Sequence, residues 1–172
     1  GDICIKYNRD EELLELFNIS NLDQHKINFE KAYLFFLKGL FLEKNLDFKN
    51  AIICFKHSIK CNNKLVNSYL KLFNLFESTN DLVSYKKILD NSYYNLSNDN
   101  YNNLDFYKCI YLHRIKKYAS SQKIILEKKL LQFFINNKEK LIRLLDLQSK
   151  NNERLGDYKK AFKTILERNK YI

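Results

Sequence analysis

Residues 32–65 read AYLFFLKGLFLEKNLDFKNAIICFKHSIKCNNKL, and their spacing decides the fold. Phe35, Gly39 and Leu42 recur on one helical face. A polar turn follows at Asn45–Phe48, and Ala51, Phe55 and Ser58 then recur on the face of a second helix. Helices joined by so short a turn must lie against each other, and Gly39 and Ala51 are the positions at which the crossing has no room for a longer side chain. Phe35, Leu42 and Phe55 fill the space around it. The turn and the two helices, from about Phe29 to Lys44 and from Lys49 to Lys60, form one unit of 34 residues that Asn62 and Asn63 end.

Outward from this unit the plan repeats with less regularity. Tyr69, Leu72, Phe73 and Phe76 fall at i, i+3, i+4 and i+7, one continuous apolar stripe. A turn at Ser78–Asp81 leads to Tyr85, Leu89 and Ser92, which occupy the places of Ala51, Phe55 and Ser58 although Tyr85 is large for its place. The Asn-, Ser- and Tyr-rich stretch Asn91–Asn103 reads as a loop between units. Helices are expected from Leu104 to Ile115 and from Tyr118 to Ile135, with a repeat register that starts at residue 100 or 102. Asn136 and Asn137 interrupt the pattern before a last helix pair. There Gly156 can take the left-handed conformation that ends one helix, and Asp157 can cap the next, which carries Ala161 and Phe162. Upstream, Glu11–Asn18 is amphipathic and Ser20–Gln24 is a polar break.

The composition agrees with helices alone. The 172 residues include no Pro, Met or Trp and only three Gly, so tight hairpin turns are hard to place. No apolar run approaches the roughly 20 residues that cross a bilayer. The net charge of +10 is uneven: residues 1–107 carry 13 Lys/Arg against 14 Asp/Glu, and residues 108–172 carry 17 against 6. Such a basic C-terminal surface suits solvent or an acidic protein partner. Nucleic acid is disfavoured, because only five of the cations are Arg, the residue suited to bidentate contacts. The lack of Met at position 1 leads to the expectation that Gly1 is not the native start.

The residues offer no catalytic constellation: there is no glycine-rich phosphate loop, no nucleophile elbow and no paired-histidine zinc helix. Cys54, His57 and Cys61 fall at i, i+3 and i+7 of one helix, yet no fourth ligand is nominated, and partly buried thiols are ordinary beside a packed stripe. Neither a metal nor another cofactor is expected. Cys54 and Cys61 stand about 10 Å apart along a helix, too far for a disulfide. Reduced thiols in a reducing compartment such as the cytoplasm are the expectation, with a pairing of Cys4 or Cys109 left open.

The spacing of Phe35, Gly39, Leu42, Ala51, Phe55 and Ser58, with the turn Leu155-Gly156-Asp157-Tyr158, resembles the tetratricopeptide repeat family. The resemblance implies an all-α solenoid of helix–turn–helix repeats, a superhelix with residues 28–172 forming about four helix pairs behind an N-terminal helical segment, 1–27. It also implies a non-catalytic protein–protein interaction scaffold or assembly adaptor, with the first helix of each pair lining a concave groove. The groove positions it assigns are Tyr33, Phe36, Leu37 and Leu40, then Asn67, Leu70, Lys71 and Asn74. The family's carboxylate clamp needs Lys and Asn where Phe36 and Leu40 stand, so an amphipathic partner helix fits this groove better. Two occupants remain open: a partner, or the chain's own Leu13, Leu14 and Phe17. An alternative to the scaffold is the regulatory sensor region of a larger signalling protein, because repeats ending in a Gly-Asp-Tyr turn and a basic helix resemble those that lead into an output domain.

Overall fold

The computed structural model describes residues 28–172, which form nine α-helices and one 3-10 turn. The helices are α1 (Asn28–Lys44), α2 (Phe48–Cys61), α3 (Val66–Ser78), α4 (Leu82–Asn95), α5 (Tyr101–Arg114), α6 (Tyr118–Glu127), α7 (Leu130–Phe133), α8 (Lys138–Arg154) and α9 (Tyr158–Asn169). The expected segment 1–27, with Leu13, Leu14 and Phe17, lies outside the described residues. The described residues fall into two compact units. One holds those up to Ile88 with Tyr94–Leu96, and the other holds Leu89–Tyr93 and Ser97–Ile172.

One turn is used four times. Leu46, Asn80, Lys116 and Gly156 have φ of 62°, 54°, 62° and 82°. At each, the left-handed residue donates its N–H to a carbonyl three residues back and its successor donates to one five back. The pairs in the first turn are Leu46 to Glu43 (3.0 Å) and Asp47 to Leu42 (2.9 Å), and in the last Gly156 to Glu153 (3.0 Å) and Asp157 to Asn152 (2.9 Å). This geometry consumes the orphan carbonyls of the ending helix. In three turns the successor also caps the next helix: Asp47, Asp81 and Asp157 accept from the backbone N–H of Asn50, Ser84 and Lys160.

Because the turn is fixed, residues twelve apart meet where the paired helices cross. Gly39 lies so close to Phe55, one turn beyond Ala51, that a Cβ at Gly39 would stand 2.6 Å from Phe55 Cε1. At the second crossing Phe73 and Tyr85 replace the small pair, their ring centroids 5.2 Å apart. At the third, Ser121 Oγ donates to the Cys109 carbonyl at 3.0 Å, while Cys109 Sγ lies 3.7 Å from the Ser121 carbonyl. At the fourth, Ser149 Oγ donates to the Ala161 carbonyl at 3.3 Å. The Cys109–Ser121 contact settles the third register at residue 102 rather than 100.

Buried hydroxyls extend these contacts to the following helix. Ser58 Oγ donates to the Ala32 carbonyl at 2.7 Å and lies 2.8 Å from Ser68 Oγ, so α2 is tied to both α1 and α3. In the second unit Asn151, wholly buried on α8, accepts from His113 Nδ1 at 2.7 Å and donates to Ser121 Oγ at 2.9 Å. α5, α6 and α8 are joined through that one amide.

Two expectations need correction. Asn91–Asn103 is not a long loop: α4 continues to Asn95, a 3-10 turn covers Asn98–Asn100, and α5 starts at Tyr101. Ser92, buried and bonded to the Leu89 carbonyl, and Tyr93, whose hydroxyl donates to the buried Asp105 carboxylate, are packed rather than solvated. Tyr118–Ile135 is not one helix either, since α6 stops at Glu127 and Lys129 turns left-handed at φ 48° before the short α7. The turn buries Leu130 and Phe134, the latter edge-on to Phe106 at 5.7 Å, and no Gly or Pro announces it.

Three substitutions separate steric from conformational constraint, read by thermal or urea unfolding. Gly39→Leu should destabilise by about 1–3 kcal/mol or more through collision with Phe55. Gly156→Ala meets nothing within 4 Å, so its loss, about 1 kcal/mol, would be purely the left-handed φ. Leu46→Gly should stabilise by about 0.5 kcal/mol by relieving the same penalty.

Acid should weaken the caps. Hydrogen bonds from Ser84 and Lys160 hold the Asp81 and Asp157 carboxyls below the usual carboxylate range. Their contribution is therefore full above the unfolded value of about 3.9 and lost as pH falls through the folded one. Melting curves from pH 6 to 3 should show a smaller acid loss for Asp81→Asn, which still accepts the cap bond but cannot titrate.

Candidate functional site

The helical period of α1 and α3 places Tyr33, Phe36, Leu37 and Leu40 on one face and Asn67, Leu70, Lys71 and Asn74 on another. They do not share one environment. Phe36 and Leu37 are buried, with the Phe36 ring 5.8 Å from Phe55 and 6.2 Å from Tyr33. Both therefore belong to the α1–α2 packing. Tyr33, Leu40, Leu70 and Lys71 are half-buried, and Asn67 and Asn74 are exposed.

The cation of this face is already engaged. Lys71 Nζ lies 2.7 Å from Glu43 Oε2, a half-exposed ion pair that links the first helices of successive pairs. Partly solvated, it is worth little as stability, and it bridges α1 and α3 at the residues next to Leu70 and one turn beyond Leu40. Glu43 escaped the sequence reading. The signal was present, an acid one turn beyond Leu40, but pairing it with Lys71 needs the repeat geometry.

Polar chemistry elsewhere is structural. Burial, then the neighbouring Asp105, raises the Tyr93 hydroxyl well above its ordinary range, so it remains the donor in their hydrogen bond. Lys108 Nζ sits 5.2 Å over the Tyr93 ring. Lys140 lies over both Phe106 and Phe134 at 5.5 and 5.0 Å and bonds Asn103 at 2.5 Å; burial lowers its pKa.

The buried thiols Cys54 and Cys109 are poor ligands and nucleophiles. Burial raises the Cys54 thiol and pushes Cys109 up to about 12, so Cys109 is protonated at neutral pH. Cys54 is buried, while His57 is exposed and stacked on Phe35 at 5.2 Å. Among the described residues no group of three His, Cys, Asp or Glu side chains is placed to hold a metal ion. No described helix is long and apolar enough to cross a membrane.

No protein-family profile matches the chain, and no curated protein matches it by sequence. Solved structures match it in fold. MamA from MSR-1, in a C2 crystal form, superposes with a TM-score of 0.69 at 13% identity, over 98% of this chain and 90% of that one. MamA from AMB-1 superposes with TM-scores of 0.70 and 0.69 in two crystal forms, P212121 and C2221, each at 12% identity. These cover 97% and 98% of this chain and 85% and 92% of those. The chain thus has the all-helical, sequentially paired fold of MamA, a tetratricopeptide-repeat protein.

Alkylation followed by mass spectrometry tests the site electrostatics. Of the thiols in the described residues, Cys61, half-buried at the end of α2, should react first in the folded protein, with Cys54 and Cys109 protected until it unfolds. Modification of Cys109 as fast as Cys61 would show that its surroundings are not as described.

Proposed function

We propose that the protein is a non-catalytic interaction scaffold that holds an amphipathic helix or peptide of a partner protein against the face shared by α1 and α3. One observation carries the reading. The large apolar side chains of α3 other than Val66 and Leu70 are buried, yet Leu70 stays half-exposed between the exposed amides of Asn67 and Asn74, near the Glu43–Lys71 bridge. Stability is supplied behind this face, by the crossing of Gly39 with Phe55 and by the Ser58 hydrogen bonds. The face is therefore spare surface with apolar anchors and hydrogen-bonding groups, the combination that helix-in-groove recognition uses.

Within this reading the eight residues divide by role. Leu40, Leu70 and Tyr33 are the apolar contacts, and Asn67 and Asn74 hydrogen-bond the partner. Phe36 and Leu37 shape the face from beneath, and Lys71 acts through its pair with Glu43. The fold likeness supports a protein partner because stacked helix pairs offer extended binding surfaces.

The test compares partners captured by the wild-type protein and by Leu70→Ala, followed by titration of the purified partner. Leu70→Ala should weaken binding by about 1–2 kcal/mol with little dependence on salt and an almost unchanged melting temperature. Phe36→Ala should lower the melting temperature first, as loss of a core aromatic by about 3 kcal/mol. A partner whose affinity ignores Leu70 but collapses with rising salt would contradict the proposal.

A further inference from the structure

The last helix carries an apolar row that the fold leaves uncovered. Tyr158, Phe162 and Leu166 are spaced i, i+4, i+8 on α9 and are 70%, 62% and 51% exposed. Ala161 and Thr164 are the buried residues of this helix, so the row lies beside the packed face rather than within it. The equivalent positions of the other second helices, counted from the left-handed turns, are Phe48, Ile52 and Lys56 on α2, Leu82, Lys86 and Asp90 on α4, and Tyr118, Gln122 and Leu126 on α6. Each of those rows is broken by a charge or an amide. α9 is the one second helix, among the described residues, in which all three are large, apolar and exposed.

Charge decides what covers it. Lys159, Lys163 and Lys170 are spaced i, i+4 and i+11, a row one residue round the helix from the apolar one in which Glu167, at i+8, is the single acid. None of the three is held in an ion pair among the described residues, whereas Lys160 is bound to Asp157 at 2.6 Å and Arg168 to Asp146 at 2.9 Å. The cations that neighbouring acids satisfy are thus off the apolar row, and the unsatisfied ones line it. A second copy of this chain would bring the same lysines against each other in a C-terminal region that already carries 17 Lys/Arg against 6 Asp/Glu.

We propose that the outer face of α9 is a second docking surface, taken by an acidic amphipathic helix of a partner protein. Its apolar stripe lies on Tyr158, Phe162 and Leu166, and its Asp or Glu side chains meet Lys159, Lys163 and Lys170. The surface is distinct from the α1–α3 face, and the two are tested by different substitutions.

Fluorescence anisotropy with two synthetic helical peptides of about 15–20 residues tests it. The peptides share one leucine stripe and differ only in flanking Glu or Lys. The Glu peptide should bind at least about tenfold more tightly than the Lys peptide. Phe162→Ala should weaken the Glu peptide about tenfold at unchanged melting temperature, since the side chain is exposed. Lys159→Glu with Lys163→Glu should reverse the preference. Equal affinity for both peptides, or binding indifferent to Phe162→Ala, would overturn the proposal. So would binding to phosphatidylserine vesicles without binding to the Glu peptide, which would assign the face to a membrane. A sedimentation mass that doubles with concentration and returns to monomer in Phe162→Ala, with no peptide binding, would assign it to a second copy.

Discussion

The structure depends on the closure of each helix pair after twelve residues. A left-handed residue donates one turn bond and its successor the other, so the second helix leaves at a fixed place and angle, and whatever stands twelve residues apart is pressed together. The constraint is backbone geometry, which explains why the turn survives when its sequence does not. Glycine fits it without strain at 156, whereas Leu46, Asn80 and Lys116 accept the penalty of a positive φ because two backbone hydrogen bonds and the packing behind them over-determine it.

Different chemistry solves the crossing in each pair. Gly39 admits the Phe55 ring directly, and Phe73 and Tyr85 stack. Cys109 and Ser121 exchange contacts from side chain to carbonyl, and Ser149 donates to the Ala161 carbonyl. Buried hydroxyls in these places are sustainable because each finds a partner. A satisfied bond is worth about 1 kcal/mol, and an orphaned one costs about 1–3. Asn151 takes the same logic further, its amide filled on both sides by His113 and Ser121. At the crossings themselves the second unit relies on hydrogen bonds where the first relies on shape, and in the first unit the hydrogen bonds are made beside the crossing, by Ser58.

This division explains what could be read from the sequence. Gly39, Ala51 and Phe55 announce a steric crossing, and Gly156-Asp157 announces a turn with its cap, so the outer helix pairs were legible. Cys109 and Ser121 carry no such mark; their fit appears only when the carbonyl they serve is known, and the middle register stayed double. Lys129 was invisible because a left-handed lysine looks like any other lysine, and Asn91–Asn103 misled because the few residues that pack, Ser92, Tyr93 and Leu96, sit among exposed Asn91, Ser97, Asn98 and Asp99. The positions of the candidate face came from the family resemblance. It could not tell that Phe36 and Leu37 turn inward or that Glu43 claims Lys71, since both depend on neighbouring helices.

The crossings consume the paired faces and leave Leu40 and Leu70 half-buried and the apolar row of α9 exposed, the surfaces on which we place the proposed partners. All of this stands on the first crossing, where Gly39 meets the Phe55 ring. Isotope-edited nuclear Overhauser spectroscopy on the wild-type protein measures it without perturbation. A Gly39 α proton pressed on the ring should show strong cross-peaks to the Phe55 ring protons and an upfield ring-current shift, as close packing at 2.6 Å from a notional Cβ demands. A Gly39 α resonance at its ordinary shift, with cross-peaks to water and none to Phe55, would contradict the account.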